Sequence, residues 1–315
     1  MDIEIKKYCI NDKLDWDRFI DYSKNGTFIL KRDYMDYHSD RFKDFSIMIY
    51  KKNELIAVMP ASIHNERIIS HGGLTYGGII SDKKMTMSKM IECFKYISMF
   101  LKSNGIKEIL YKRVPYIYHV YPSDEDLYAL FLNNGKIVRR DISTTIRLDN
   151  KIEFNQRRKR NIKKSLHSKL EVTRSFDFDQ YIDLVNYVLN KYHNAKAVHT
   201  NLEIKELSRK FPDEIKLYIT KDTSDEIYAG VIIFDTKQTV HAQYIASSDK
   251  GRKVGALDIL FDFLINKYSI ENNKKYFDFG ISTEHEGTFL NLGLIQQKQE
   301  FGGRGIIHDF YLLNI

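Results

Sequence analysis

Residues 45–63 read FSIMIYKKNELIAVMPASI, two apolar runs around a short polar interruption, which predicts strand, turn, strand. IKLYITKDTSDEIYAGVIIFD, residues 215–235, repeats that order with a slightly longer turn. A third strand is expected after each hairpin, in ERIISHGG (66–73) and TVHAQYIAS (239–247), and each leads to Ser-Asp-Lys, at 81–83 and 248–250. The two triplets are 167 positions apart. Apolar residues at helical spacing then predict helices over roughly 86–103 and 254–268. Strands KEILYKRV (107–114) and KKYFDFGI (274–281) follow, again offset by 167. Each half closes with a further helix and strands: EDLYALFLNNG then IVRRDISTTIRL, and GTFLNLGLI then GIIHDFYLLNI.

Agreement in element order, triplet and offset points to an internal duplication. The expected fold is α/β, in two tandem halves, each a mixed twisted sheet flanked by helices and containing one parallel crossover. The boundary is placed near residue 150, giving halves 1–150 and 151–315. Sheets of this kind bind ligands at the carboxyl ends of strands, where neighbours diverge. FDFG (277–280) is expected to be such a strand, and Ser282 to Glu286 its carboxyl-end loop beside a cleft.

Composition narrows the function classes. The apolar fraction of 43% supports a packed core, and 49 basic against 42 acidic residues leave a net charge of +7, which favours anionic ligands such as phosphates. Cys9 and Cys93 are the only cysteines and neither has a partner at metal-ligand spacing, so neither a disulfide framework nor a zinc site is expected. A reducing cytoplasm fits that cysteine usage. No apolar run is long enough for a membrane span, and the first residues do not form a signal peptide.

Several segments carry candidate chemistry. In IASSDKGRKVGALDIL (245–260) a strand ends in a polar glycine loop before a helix, so backbone amides with Lys250, Arg252 and Lys253 could hold a diphosphate; a basic solvated turn is the alternative. The loop is neither GxxxxGK[ST] nor GxGxxG. Asp278-Phe279-Gly280 stands without the other protein-kinase motifs, and Asp278 is read as a strand carboxylate facing a neighbouring loop. Glu284, His285 and Glu286 suit acid–base work if partly buried, and a solvated turn otherwise. HGGLTYGGI (71–79) crowds glycines around Tyr76, and Arg32, Tyr34, Tyr37 and His38 could hold a ring or phosphate, or pack as an amphipathic segment. RRKRNIKKSLHSK (157–169) could follow nucleic-acid phosphates, but with no aromatic residue among its charges it reads more simply as a solvated helix face or cleft rim.

Together these pieces resemble the GNAT acyltransferase superfamily, and the duplicated form is similar to the Fem-type tandem GNAT proteins. NGTFILKRDYMDYHSDRF, SHGGLTYGG, YPSDEDLYALF and FDFGISTEHEGTFLNLGLIQQKQEFGGRG look like the bacterial N-acyltransferases acting on nucleotide-linked amino sugars for surface polysaccharides. Among these, the type transferring 3-hydroxybutanoyl to a dTDP-3-amino-3,6-dideoxyhexose is the nearest. The resemblance implies acyl-CoA as co-substrate, no metal, an amino-sugar acceptor and no membrane insertion. The superfamily loop pattern is met by Arg252 and Gly255, while its last place holds Leu257 and Ala256 comes one position early. By the same resemblance Tyr244, Ile245, Ala246 and Ser247 offer backbone to the pantetheine arm, with the Ile245 amide facing the oxyanion. Lys250, Arg252, Lys253, Val254, Gly255 and Ala256 hold the diphosphate, and Asn291 touches the CoA arm. Glu284 and His71 are assigned to the amine proton. Arg32, Tyr34, Tyr37, His38, Gly73, Tyr76 and His285 are assigned to sugar or nucleotide. The acid that protonates the thiolate stays unassigned.

The rival readings are a Fem-type transferase using aminoacyl-tRNA, a non-catalytic nucleic-acid-binding module, and a simple small-amine acetyltransferase. Charge alone supports the second, and the third needs no duplicated half.

Overall fold

The computed structural model describes residues 3–193, 196–223, 226–271 and 273–315. The chain forms two compact units, one of residues up to Ile142 with Glu284–Phe289 and Ile307–Ile315, the other of Ser143–Thr283 with Leu290–Ile306. The first division therefore falls at 142/143, and the last third of the chain contributes two segments to the first unit.

In the first unit β1 (Ile3–Lys7) precedes α1 (Lys13–Tyr22) and the short α2 (Arg32–Met35). The hairpin β2 (Ile47–Lys51) and β3 (Glu54–Met59) follows, then β4 (Ser62–His64), β5 (Arg67–Ile69) and β6 (Ile80–Ser81). Next come α3 (Met87–Ser103), β7 (Glu108–Lys112), α4 (Glu125–Leu132) and the start of β8 (Lys136–Arg147). The β2–β3 turn is two residues long, and Lys52 and Asn53 both adopt positive φ, 53° and 63°, the left-handed backbone that matches strand twist in tight hairpins. ERIISHGG supplies β5, which as expected runs parallel to β7 and also pairs antiparallel with β4, whereas the strand beside β3 is β6. Pro60 interrupts the chain after β3, and the three-residue hairpin that follows is too short to show as alternation.

The second unit contains α5 (Gln156–His167), β9 (Glu171–Ser175), α6 (Phe178–His193), α7 (Asn201–Lys210), β10 (Ile215–Lys221), β11 (Ile227–Asp235) and β12 (Thr239–Ser247). The chain continues through α8 (Asp249–Val254), α9 (Ala256–Ile270), β13 (Tyr276–Ile281), the two-residue β14 (Thr283–Glu284) and β15 (Phe289–Leu290), α10 (Leu292–Gln299) and β16 (Arg304–Asn314), with Glu284–Phe289 and the residues of β16 from Ile307 on belonging to the first unit. The sheet order is β8-β13-β12-β11-β10-β9. The turn joining β10 to β11 includes Ser224 and Asp225, which lie outside the described residues. The parallel crossover is β12–α9–β13, as expected; the polar glycine loop expected before the helix forms the short α8, which Gly255 separates from α9.

The core of this unit lies under α9, where Leu260, Phe261, Leu264 and Ile265 pack on Val231, Ile233, Val240, Ala242, Phe277 and Phe279. On the other face, buried Tyr181 of α6 donates its hydroxyl to the Gly230 carbonyl at 2.6 Å and the Tyr244 carbonyl at 3.1 Å. A Cβ at Gly230 would stand 2.3 Å from the Tyr181 ring. Gly230→Ala is expected to lower the unfolding free energy by about 1–3 kcal/mol. A urea midpoint equal to that of the unchanged protein would show that the ring can move aside. Among the described residues no helix is long and apolar enough to cross a membrane.

Candidate functional site

The parallel ladder of β12 and β13 has three rungs, ending at His241 opposite Asp278. Past that rung the strands part. On its other side β12 stays paired with β11 up to Ser247, with a register shift that leaves Gln243 as an extra residue. The divergence opens a cavity of about 590 Å³, lined by Ile245, Ala246 and Ser247 of β12, Phe279 of β13, Leu257 and Phe261 of α9, and Asn291, Leu294 and Lys298 at α10. Its walls are mainly apolar.

A second cavity of about 330 Å³ shares Ser247, Arg252, Leu257, Gly293 and Gln297 with the first, so the two are continuous in their walls. Its own lining includes Gly251, Gly255, Ala256, Arg157, Arg158 and Asn161. Gly255 ends α8 and opens α9 with φ +75°, and a Cβ there would come within 3.0 Å of Asn161. Glycine thus lets the start of α9 and its first-turn amides stand against α5 and the cavity. The positive end of the helix dipole and Arg252 suit this pocket to an anion, while Arg157 pairs with Glu300 and Arg158 with the Asp258 carboxylate that also lines it.

The Ser-Asp-Lys triplet has structural duties. Ser248 caps α8 by accepting from the Gly251 amide at 3.1 Å. Asp249 accepts from Lys191 at 2.6 Å and Tyr192 at 2.8 Å, tying α8 to α6, and these contacts hold its carboxyl down at about 2. Lys250 pairs with Glu226, and neither Lys250 nor Lys253 lines either cavity. Val254 also lines neither; its carbonyl accepts from Ser165 at 2.7 Å. Arg252 lies over the Tyr192 ring at 3.9 Å and borders both cavities. Tyr244 turns its hydroxyl to His199 Nδ1 at 2.7 Å, away from the cavity. Asn291 lines the larger cavity while its side-chain oxygen caps α10 through the Leu294 amide at 3.0 Å.

Lys298 was not singled out from the sequence. Its ammonium donates to the carbonyls of Gly280 at 2.8 Å and Ile281 at 2.7 Å, at the carboxyl end of β13. Burial pushes its pKa down to about 8, against the opposing pull of Asp278. An ammonium has three N–H donors, so one more is available to a cavity ligand. Asp278, fully buried, accepts from Ser143, from Thr145 at 2.7 Å and from His241 Nδ1 at 2.7 Å. Its partners are therefore on strands β8 and β12, rather than on the loop expected.

In the first unit the candidate acceptor residues are mostly interior. Arg32 is buried and bound to Asp36 at 2.5 Å and Asp44 at 3.0 Å, with the Tyr8 ring 3.9 Å beneath it. Tyr34 is buried, and buried Tyr76 shares a hydrogen bond with Thr27 at 3.0 Å. His38 is buried, stacked on Tyr37 at 4.2 Å, and sits where a Cβ of Gly73 would be. His71 is also buried, and burial, then the neighbouring His38 and Lys112 charges, hold its pKa near 3. His71 is thus enclosed in the interior of the unit, as are Arg32, Tyr34, His38 and Tyr76. Tyr37 is partly exposed, as are Asp33 and Asp36 beside it. Glu284 and His285 stand on the exposed segment 284–289, which clusters with the first unit. Among the described residues no group of three or more His, Cys, Asp or Glu is placed to hold a metal ion.

No protein-family model matches the chain, and no curated protein matches it. Solved structures of low identity do. FemX is similar with a TM-score of 0.69 and 11% identity, over 97% of this chain and 96% of that one. L-PGS from Bacillus licheniformis gives 0.61 and 11%, over 95% and 90%. A tandem GNAT protein from the clavulanic acid biosynthesis pathway gives 0.54 and 10%, over 99% and 98%. The chain folds as two tandem GNAT-like halves, each a mixed twisted sheet flanked by helices.

Proposed function

We propose that the protein is an N-acyltransferase whose acyl donor occupies the second unit. The observation that carries this reading is the continuity of the two cavities: an apolar channel at the parting of β12 and β13 leads into an anion-suited pocket at the start of α9. An acyl thioester of CoA has that sequence of chemistry, an acyl-pantetheine arm followed by a diphosphate. The acceptor is the amine of a nucleotide-linked amino sugar, here dTDP-linked, a choice that rests on the sequence resemblance alone.

Attack of an amine on a thioester needs a neutral nucleophile, a donor to the developing oxyanion and a proton for the thiolate. Fixing the two reactants at attack distance supplies much of the acceleration, about 7–11 kcal/mol in favourable cases. The remaining N–H of Lys298 and the Ile245 amide are the oxyanion donors this site offers. Arg252→Ala is expected to raise the Michaelis constant for the acyl donor roughly tenfold, the loss of one charge-assisted contact. The constant for the acceptor should change much less, and the reverse pattern would move the donor out of this unit.

A second reading, aminoacyl transfer from tRNA, is favoured by one observation. Helix α5 carries exposed Arg160, Lys163 and Lys164 beyond the cavity-lining Arg157, a basic ridge that a polynucleotide could follow. Tight binding of tRNA with a steep dependence on salt, together with indifference to acyl-CoA, would select it.

A further inference from the structure

We propose that His241 is the group that takes the proton from the attacking amine, with Asp278 as its positioning residue. The inference rests on the acyl-transfer reading above, but it is drawn from a separate arrangement. A carboxylate can only accept, so the 2.7 Å contact fixes the proton of His241 on Nδ1 and leaves Nε2 with its lone pair free. Asp278 cannot turn away. It is completely buried, and Ser143 and Thr145 hold its other oxygen. A buried carboxylate that orients an imidazole through Nδ1 leaves Nε2 as the basic atom, an arrangement that suits proton transfer.

Its position matches the chemistry. His241 and Asp278 are the last rung before β12 and β13 part; neither lines the cavity itself, so the imidazole stands beside the opening and not within it. Val240 and Ala242 face α9, and strand alternation places His241 on the opposite side of the sheet. The imidazole side chain keeps 16% of its surface open. Gly280 leaves room for it, since a Cβ there would come 3.3 Å from His241 Cε1. The carbonyl of that same glycine anchors Lys298. The proton acceptor and the cationic donor thus lean on one short stretch of β13.

The step balances simply. The amine lone pair forms the C–N bond as the carbonyl π electrons move to oxygen, and an N–H proton passes to His241 Nε2. The intermediate collapses, the C–S bond breaks, and the thiolate takes a proton from solvent while His241 releases its own.

The bland alternative is that His241 only supplies a hydrogen bond to buried Asp278. His241→Asn separates the two, because its side-chain amide can still donate to Asp278 but has nothing in place of Nε2. Thiol release from acetyl-CoA, with the amine that gives turnover in the unchanged protein, is expected to fall at least about 100-fold in kcat. The donor Michaelis constant and urea midpoint should hold. Asp278→Asn should lower kcat less. A His241→Asn protein with unchanged kcat would overturn the proposal. If no amine gives turnover, the acyl-transfer reading fails first, and diethyl pyrocarbonate labelling decides the rest. Mass spectrometry should then find His241 modified faster than buried His38 and His71, and slower again in Asp278→Asn; a His241 as unreactive as those two would end the assignment.

Discussion

Lys298→Met is expected to lower kcat by about 10²–10³-fold, the cost of removing one preorganised donor to a developing oxyanion. Methionine keeps the length and apolar stem of lysine but donates nothing. The Gly280 and Ile281 carbonyls lose their partner, while the burden of burying a charge is also lifted. The two effects oppose each other, so the fold should survive. The pH dependence gives an independent check. With the pKa pushed down to about 8, the cation is lost above that pH and turnover should decline. Stability moves the other way. Between about 8 and the ordinary lysine value of 10.5 the unfolded chain binds more protons than the folded one, so this group's contribution to stability rises with pH. Activity that falls while the protein becomes no less stable would identify deprotonation as the cause. Activity that rises through pH 8 would instead make Lys298 a base.

Arg158→Ala is expected to cost about 3–5 kcal/mol of stability, the range for removing one partner of a buried ion pair. Arg158 on α5 is buried, contacts Asp258 on α9 at 2.9 Å and Glu300 after α10 at 3.1 Å, and lies over the Phe301 ring at 4.5 Å. Its removal strands the Asp258 carboxylate in the interior near the start of α9, where Asn161, at 3.4 Å, is the one donor left among the described residues. Because these three helices frame the anion pocket, donor binding should weaken along with the fold. Replacing the pair together, Arg158→Met with Asp258→Leu, should recover most of the stability but not donor binding. A single variant as stable as the unchanged protein would mean that Asp258 finds water or another donor.

Much of the fold was legible in the hydrophobic pattern, because its long elements bury one face. The hairpin β2–β3, helix α3, strand β7, the α9 crossover and β13 all stand where apolar spacing places them. The parallel pairing in both units, β5 with β7 and β12 with β13, follows from the strand–helix–strand order. What escaped was short or set by tertiary contact. The β4–β5 hairpin is three residues a side, and the polar DKGRKV loop before α9 closes into the short α8 with no apolar periodicity to announce it.

The candidate site was legible by half. Ile245 to Ser247, Arg252, Gly255, Ala256 and Asn291 do line the cavities. In Arg32 to His38 and the 71–79 turn, aromatic and charged residues suggested a ligand, yet they pair with each other inside the first unit. One sequence cannot say which partner an arginine or a histidine finds. Lys298 has no signal of its own in IQQKQEF, since its burial comes from α10 docking over β13. Asp278 did carry one, as the single charged residue inside apolar β13, whereas His241 shares β12 with Thr239, Gln243 and Ser247 and does not stand out.

The most direct measurement is free-thiol release from acetyl-CoA and 3-hydroxybutanoyl-CoA, with and without dTDP- and UDP-linked amino sugars. The account predicts release that depends on an amine acceptor and is lost with Lys298→Met. Release that never exceeds the rate without protein, for either thioester and every acceptor, would contradict it.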